Sequence, residues 1–486
     1  MIFLKRIKQH SKKNINKVIF TDYKRKWTWF DVFKKVDEII KILKPHIHDK
    51  QTSLPIIVSR RAEVLISFIA CLKLGISFTP IIYISNDQSF FIANKLNSNF
   101  FYDPVNNKIK LNSKYKINSK KQLDIKNKIY ILFTSGSTGN PKGVICDKEN
   151  IINTLLWSKI YLKWKKNDVI GNVTQFSFDI SLFDFFSTIY FNIPLTIIKS
   201  PENTDYCYET IKKSKITSIF STPSFFSQFV FNDSVKKTTK TSLKQIISGG
   251  DFFPTNHLFE WISSNKKINI FNVWGPTETS IVNSMYKIKQ NDKKRLKEIK
   301  YLPVGKSTKR MKITIIKSNK LINEPNKIGF ICLSGKSICK GYINENQKYK
   351  NMIKNINNKI YFNTGDLGYF DSSKNLFIIG RIDNTIKIQG YRINQKEIEK
   401  LSESFDNIFL SASYKKNLNN DFNQLNLLIQ LKKTRSFDIY KFKSFLRTKL
   451  PFYKVPKEIK IIKKIPLNSN GKIDRIQIDK KYNLNS

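Results

Sequence analysis

One loop constrains the fold more than any other feature of the sequence. Residues 130–144 read YILFTSGSTGNPKGV, in which an apolar run typical of a buried strand leads into small hydroxylated residues and glycines. Glycines let backbone amides approach phosphate oxygens, hydroxyl groups can donate hydrogen bonds to them, and Lys142 adds positive charge. The pattern is not a Walker A loop, because Pro141 precedes Lys142 and no helix-opening Ser or Thr follows. The members of the predicted phosphate loop are Thr134, Ser135, Gly136, Ser137, Thr138, Gly139 and Lys142.

The stretch TSGSTGNPKG resembles the phosphate loop of the adenylate-forming superfamily, which joins acyl-CoA ligases, luciferases and nonribosomal peptide adenylation domains. Six further segments resemble motifs of this superfamily and follow its order, so the resemblance extends from about residue 25 to residue 476. No single motif decides the likeness, but their joint order does. The six are LKLGISFTP (72–80), NVWGPTET (272–279), YFNTGD (361–366), GRIDNTIKIQGYRINQKEIE (380–399), LPFYKVP (450–456) and PLNSNGKIDR (466–475).

The resemblance implies that the chain uses ATP and Mg²⁺, and it assigns roles to several residues. Asp366 is expected to accept hydrogen bonds from both ribose hydroxyls, and Trp274, where the family has Tyr, to stack on adenine. Glu278 is the implied Mg²⁺ ligand, since a hard cation beside phosphates prefers a carboxylate. Arg381 is expected to contact the ribose or a phosphate. Gly275 and Thr277 complete the implied nucleotide site.

The catalytic residues that the resemblance implies are Lys472, Lys142 and Glu278. Lys472 lies in the segment NSNGKIDR, where its ammonium would bridge the substrate carboxylate and the α-phosphate and stabilise charge in the transition state. Asp383 matches the family's hinge, about which a small domain would swing and remove Lys472 after the first half-reaction.

The segment FSFDIS at 176–181 resembles the FDxS signature of amino-acid adenylation domains, in which the Asp holds the substrate ammonium. Burying the Asp179 carboxylate among apolar neighbours is costly unless a cation pairs with it, and an amino acid supplies that cation. The alternative is a carboxylate that only interacts with the dipole of a helix N-terminus. The pocket positions carried over from the family are Asp179, Ile180, Phe183, Ser224, Ile247, Gly249, Val273, Ile281 and Val282.

This lining predicts an apolar amino acid as substrate, aliphatic or aromatic and with proline included. Apart from Asp179 and Lys472 it is apolar with one hydroxyl, so a charged side chain would be left unpaired. Gly249 is expected to leave volume in the pocket, which argues against glycine as the substrate.

The second half-reaction is expected to transfer the amino acid to the phosphopantetheine thiol of a separate carrier protein. The sequence shows no condensation motif before the adenylation motifs and no carrier-type Ser motif after them. We therefore expect a free-standing enzyme. Four departures from the family pattern concern the carrier and domain contacts more than adenylation: Gln389, Asn394, Phe330 and Ser337.

Three alternatives remain open. The run STPSF at 221–225 resembles the D-alanine–carrier protein ligases, although these have Cys where Gly249 stands here. An acyl- or aryl-acid–CoA ligase is a second reading, against which Asp179 argues. The third is a basic binding protein that has the ligase fold but no longer catalyses a reaction. The presence of Lys472 and Asp366, two residues that catalysis would need, argues against it.

Composition excludes other classes of function. The formal net charge is +49, but only 11 of the 86 basic residues are Arg, and the lysines are spread evenly, so no specific nucleic-acid partner is expected. The 5 Cys are scattered without a CxxC pair and the 4 His form no HExxH pattern, which argues against zinc sites and for a reducing, cytoplasmic location. No apolar stretch is long enough to predict a membrane span.

The expected architecture is α/β. Strand-like runs alternate with helical ones up to about residue 300, among them a helix at 62–74 with one apolar face that ends at Gly75. Shorter strands follow, and then two helical stretches around a strand at 425–431. We predict a large adenylation domain at 1–380 of layered sheets and helices and a small, mobile α+β lid domain at 384–486, with the hinge near 381–384.

Overall fold

The computed structural model describes residues 2–48, 51, 53–83, 87–115, 128–134, 141–294, 302–381, 385–417, 423–431, 437–467 and 473–482. These residues group into two compact units. The larger lies within Met1–Tyr83, Ser89–Phe133 and Gly143–Gly380, and the smaller within Ile84–Gln88, Thr134–Lys142 and Arg381–Ser486.

Helices occur in both units. They are α1 (Ile2–Lys13), α2 (Trp29–Leu43), α3 (Ala62–Leu74), α4 (Asp87–Lys95), α5 (Lys148–Tyr161), α6 (Asp179–Phe191), α7 (Thr204–Lys213), α8 (Pro223–Phe231), α9 (Thr255–Ser264), α10 (Asn346–Met352), α11 (Gln395–Glu403), α12 (Ile439–Lys449) and α13 (Arg475–Tyr482).

Strands precede or follow most of these helices. Those of the first 300 residues are β1 (Val18–Thr21), β2 (Lys26–Thr28), β3 (Leu54–Ile57), β4 (Phe78–Ile81), β5 (Phe100–Asp103), β6 (Lys108–Leu111), β7 (Lys128–Thr134), β8 (Lys142–Asp147), β9 (Ile170–Asn172), β10 (Leu195–Ile197), β11 (Ser218–Ser221), β12 (Gln245–Gly249), β13 (Asn269–Trp274) and β14 (Ser284–Ile288). The later ones are β15 (Lys306–Ser307), β16 (Met311–Lys317), β17 (Lys320–Ile322), β18 (Gly329–Gly335), β19 (Ile353–Ile356), β20 (Lys359–Phe370), β21 (Leu376–Arg381), β22 (Thr385–Ile388), β23 (Tyr391–Asn394), β24 (Ile408–Asn417), β25 (Asn423–Leu431) and β26 (Glu458–Ile461).

The largest sheet has nine strands in the order β15-β14-β13-β12-β11-β9-β10-β1-β2. Its central strands, from β13 to β1, run parallel, and antiparallel strands close both edges. A second sheet has the order β6-β5-β3-β4-β7-β8, with β3, β4, β5 and β7 paired in parallel. The expected α/β class, with helices alternating with parallel strands, is confirmed.

Helices α3 and α6 lie in a core shared by these two sheets. All residues from Ala62 to Leu72 are buried, and Phe68 of α3 packs edge-on against Phe185 of α6 with ring centroids 5.5 Å apart. The expectation of one apolar face on the 62–74 helix is therefore wrong, since a helix that packs against α1, α2, α6 and β3 buries its whole circumference. Its predicted end is confirmed, because Gly75 adopts a left-handed φ of 75° there.

The C-terminal part of the larger unit is an antiparallel sheet, β17-β16-β18-β20-β19, with β21 also paired to β20. The smaller unit contains the hairpin β22-β23 and the three-stranded sheet β24-β25-β26. Its core is formed by apolar side chains of α11, α12 and these strands.

Among the described residues, no helix is long and apolar enough to cross a membrane. All five cysteines are buried and free of disulfide bonds.

Candidate active site

Trp274 and Asp366 form a buried pair at the end of β13 and within β20. The indole Nε1 donates a hydrogen bond of 3.2 Å to Asp366 Oδ2, and the two residues are 5% and 3% exposed. Asp366 follows Gly365, which has a φ of 76° inside β20, at the point where the pairing of this strand with β18 shifts register. The Asp366 amide donates to Thr364 Oγ1 at 3.1 Å. The two residues expected to bind adenine and ribose therefore lie together, with the carboxylate held in one orientation.

The segment after Trp274 makes a close turn. A Cβ at Gly275 would lie 2.5 Å from the Ile281 carbonyl oxygen, so only glycine allows the backbone to pass there. Thr277 and Glu278 follow in a short 3-10 turn. Thr277 Oγ1 donates a 2.8 Å hydrogen bond to Asp179 Oδ2. A residue assigned to ATP thus contacts the residue assigned to the substrate ammonium.

Glu278 is 2% exposed and is held at two points. Tyr342 OH donates to its Oε1 at 3.0 Å, and the Cys339 amide donates to its backbone carbonyl at 2.7 Å. Sequence reasoning missed Tyr342, although it lies in the GY pair of a segment that resembles a family motif. The described residues contain no cluster of three or more His, Cys, Asp or Glu that could hold a metal. A single carboxylate nevertheless suits Mg²⁺, which is commonly held by one or two carboxylates together with substrate phosphates.

Six of the predicted pocket residues meet in one apolar cluster. Four other buried side chains complete it, and two of their rings, Trp157 and Phe220, lie edge-on to Phe183 with centroid distances of 6.0 and 5.3 Å. No local motif marks Trp157 or Phe220, which lie in α5 and β11. The cluster consists of Ile180, Phe183, Ile247, Val273, Ile281 and Val282 with Trp157, Leu162, Phe220 and Phe271.

Asp179 is the first residue of α6 and is partly exposed, directly before the pocket residue Ile180. Its position at a helix N-terminus means that the helix dipole also stabilises its charge. Ser224 lies in the first turn of α8, where its Oγ is 2.8 Å from Thr222 Oγ1, and it is not part of the apolar cluster.

The expectation that Gly249 leaves volume in the pocket is wrong. Gly249 and Val273 are paired neighbours in β12 and β13, and an added Cβ would lie 2.8 Å from Val273 Cγ2 and 2.9 Å from its carbonyl oxygen. Phe220 Cε2 would lie 3.5 Å from the same Cβ. The space beside Gly249 is already filled, so the argument against glycine as the substrate no longer holds.

Ile281 occupies a strained turn that presents its side chain to the cluster. Ser280 and Ile281 have φ values of 61° and 76°, and the Val282 amide donates to the Ser280 carbonyl at 2.9 Å, as in a γ-turn. A positive φ is rare for a β-branched residue. Thr154 Oγ1 donates to the Ser280 carbonyl at 2.6 Å and helps to hold the turn. A cavity of about 10 Å³ lies behind it.

Three of the remaining predicted residues lie at the ends of strands, and the others lie outside the described residues. Thr134 ends β7, and Lys142 begins β8 and is 9% exposed. Arg381 ends β21 and is partly exposed. The rest of the predicted phosphate loop (Ser135, Gly136, Ser137, Thr138 and Gly139), the predicted hinge Asp383 and the predicted catalytic Lys472 lie outside the described residues.

Comparison with known proteins decides the family. A model of the family described as AMP-binding enzyme matches residues 92–343, more than half of the chain. The chain belongs to the AMP-binding enzyme family. It is therefore an ATP-dependent, AMP-forming ligase that forms adenylates.

One relative and one solved structure illustrate what the chain is similar to. The D-alanine–D-alanyl carrier protein ligase of Bacillus licheniformis is 25% identical over 503 residues, which cover 98% of each chain. A solved nonribosomal peptide synthetase protein with adenylation and PCP domains, PA1221, superposes with a TM-score of 0.82 at 19% identity, over 99% of this chain and 84% of that one.

A mutant o-succinylbenzoate CoA synthetase from Bacillus subtilis has nearly the same fold, with a TM-score of 0.81 at 19% identity and 98% coverage of each chain. One fold thus serves carrier-linked and CoA-linked chemistry. The substrate must therefore be argued from the pocket.

Proposed function

We propose that this AMP-forming ligase activates a small apolar amino acid as its aminoacyl-adenylate and transfers it to the phosphopantetheine thiol of a separate carrier protein. The observation that carries the proposal is the 2.8 Å hydrogen bond between Thr277 Oγ1 and Asp179 Oδ2. It fixes a carboxylate between the apolar cluster and the turn that carries Glu278.

A carboxylate at this place favours an amino acid over a simple acid. Asp179 precedes the buried Ile180 and is itself only partly exposed, so its charge is partly desolvated. A substrate ammonium would form a charge-assisted hydrogen bond with it and offset that cost. A fatty or aryl acid carries no such group and would leave the carboxylate facing apolar substrate atoms.

The aromatic rings favour a small side chain. Trp157 and Phe220 both pack against Phe183 within the cluster, and Val273 and Phe220 fill the space beside Gly249. We therefore favour substrates of the size of alanine or glycine over leucine or phenylalanine. The 25% identity to the D-alanine–D-alanyl carrier protein ligase along nearly the whole chain supports the same choice.

In the proposed reaction the amino-acid carboxylate attacks the α-phosphorus of ATP, and pyrophosphate leaves. Asp366 accepts hydrogen bonds from the ribose, Trp274 packs on the adenine, and Lys142 and Lys472 neutralise phosphate and carboxylate charge. Glu278 would hold Mg²⁺, which supplies further charge neutralisation on the phosphates. In the second step the carrier thiol attacks the acyl carbon, the thioester bond forms, and AMP leaves.

Amino-acid-dependent ATP–pyrophosphate exchange tests the proposal. The assay covers the twenty amino acids, D-alanine, and common aryl and fatty acids, with Asp179→Ala and Lys472→Ala variants alongside. We expect exchange with alanine or glycine that both variants lose. Exchange with non-amino acids that survives Asp179→Ala, together with thioester formation on free coenzyme A, would overturn the proposal in favour of a CoA ligase.

A further inference from the structure

The residues that flank 468–472 are held together by backbone contacts within the smaller unit. Leu467 and Ile473 form an antiparallel bridge on either side of residues 468–472, and the Asp474 amide donates to the Pro466 carbonyl at 2.9 Å. Lys472 is bonded directly to Ile473. Whatever fixes the residues after Ile473 therefore also fixes the point from which Lys472 extends.

Arg475 provides such a fixed point. Its Nη2 lies 3.0 and 2.9 Å from Glu399 Oε1 and Oε2, and its Nη1 donates to the Ser413 carbonyl at 3.1 Å. Glu399 is 4% exposed, so this ion pair is shielded from solvent on one side and is geometrically specific. Arg475 is also the first residue of α13, and it lies only three positions after Lys472.

Glu399 is itself held by the sheet. The Ser413 amide and Ser413 Oγ both donate to Glu399 Oε1, at 2.8 and 3.0 Å. The carboxylate on α11 therefore joins α13 to β24 through three donors. Because Ser413 also holds the Glu399 carboxylate, this carboxylate keeps its place and restricts the movement of Arg475.

Resting on the proposed function, we infer that Arg475 and Glu399 are positioning residues for adenylation, which act by fixing the backbone at Ile473 and Asp474, the described residues that directly follow Lys472. Neither side chain has to contact ATP or the amino acid. A displacement of about 1 Å in a charged catalytic group can lower a rate about a hundredfold. The expected loss is therefore in kcat, with KM little changed.

The same helix offers a matched control. Glu397, two residues before Glu399 on α11, receives Lys454 Nζ at 2.7 and 2.8 Å, and Lys454 is 1% exposed. This second, partly buried ion pair joins α11 to the 3-10 turn Phe452–Lys454, which lies outside the stretch between Leu467 and Arg475. Loss of the Lys454–Glu397 pair should lower the thermal stability, as loss of the Arg475–Glu399 pair does. It should not move the backbone at Ile473.

The experiment measures ATP–pyrophosphate exchange and thermal melting for the wild type and for Arg475→Ala, Arg475→Lys, Glu399→Gln, Lys454→Ala, Lys472→Ala and the double variant Arg475→Ala/Lys472→Ala. We expect Arg475→Ala to lower kcat about 10- to 100-fold, Arg475→Lys to restore part of it, and Lys454→Ala to change it less than threefold. In the Lys472→Ala background, Arg475→Ala should cost nothing further, because it acts through that lysine.

Two results would overturn the inference: a loss of kcat in Lys454→Ala as large as in Arg475→Ala, or effects of Arg475→Ala and Lys472→Ala that multiply. If Arg475→Ala does not fold, Glu399→Gln carries the same comparison, since it keeps the side-chain shape. Failure of the proposed function is distinct, because the wild type would then exchange no amino acid, or Lys472→Ala would retain full exchange.

Discussion

At the scale of single residues, the indole of Trp274 does more than offer an aromatic face. Its hydrogen bond to Asp366 orients the carboxylate proposed to bind the ribose. Trp274→Phe keeps a ring but removes this donor, which costs about 1 kcal/mol, or roughly a fivefold rise in KM for ATP. Exchange kinetics at varied ATP and amino acid should show the rise for ATP alone. An equal change in both KM values would contradict the assignment.

A second prediction concerns the buried Asp184 of α6 and the way in which the stability of the protein depends on pH. Burial raises the pKa of its carboxyl well above the usual value, although Asn172 Nδ2 donates to Oδ2 at 3.0 Å and Arg60 lies near. The native state thus binds a proton that the unfolded chain releases near its ordinary pKa, so stability falls as pH rises from there toward the raised native pKa. Asp184→Asn should therefore raise Tm at pH 8 and change it little at pH 4. The exposed Asp37→Asn, measured in parallel melts, should show no such difference.

Motifs in the sequence led to six of the residues that share one apolar cluster, although their role as a substrate pocket stays a prediction. Trp157 and Phe220 belong to the same cluster only because α5 and β11 pack there. The closed space at Gly249 depends on its pairing with Val273 in β13, and the γ-turn at Ile281 depends on Thr154 of α5. Such contacts follow from the register and packing of distant segments, which local sequence does not encode.

At the scale of elements, the sequence predicted where most helices and strands lie, but it did not predict what surrounds each of them. The segment 62–74 was predicted as a helix with the end that α3 has, yet the apolar stripe was misread because α3 is buried on all sides. Periodicity reports one buried face only when the other faces water. A helix enclosed on all sides by other helices and a strand has no solvent-facing side from which its surroundings could be inferred.

Ser337, which departs from the family pattern, fastens α5 to the segment after β18. Asn153 Nδ2 donates to Ser337 Oγ at 2.6 Å, and both residues are fully buried or nearly so. Ser337→Gly removes the acceptor and leaves a buried amide donor without it, which should cost about 1–3 kcal/mol in the free energy of unfolding. Urea denaturation measures the loss. In an Asn153→Ala background the same substitution should cost clearly less, and equal costs in both backgrounds would argue against the contact.

At the scale of the whole molecule, the net charge of +49 results from the high lysine content. We expect it to affect the rate at which the protein associates with acidic partners. The excess is carried by lysines along the entire chain, so it marks no particular binding face. A net positive charge of this size nevertheless attracts acidic macromolecules, and such attraction raises association rates more than it changes bound-state affinity. The charge should thus affect encounter with a carrier and leave the chemistry on bound ATP unaffected.

Salt dependence separates these two effects. With an acidic holo peptidyl carrier protein as acceptor, we expect kcat/KM for thioester formation to fall about tenfold between 50 and 500 mM NaCl, because screening shortens the range of the field. Neutral free pantetheine, offered as the acceptor in the same assay, should show less than a twofold change, as should ATP–pyrophosphate exchange. Equal salt slopes for carrier and pantetheine would mean that the lysine excess steers no partner, and that carrier recognition rests on short-range contacts alone.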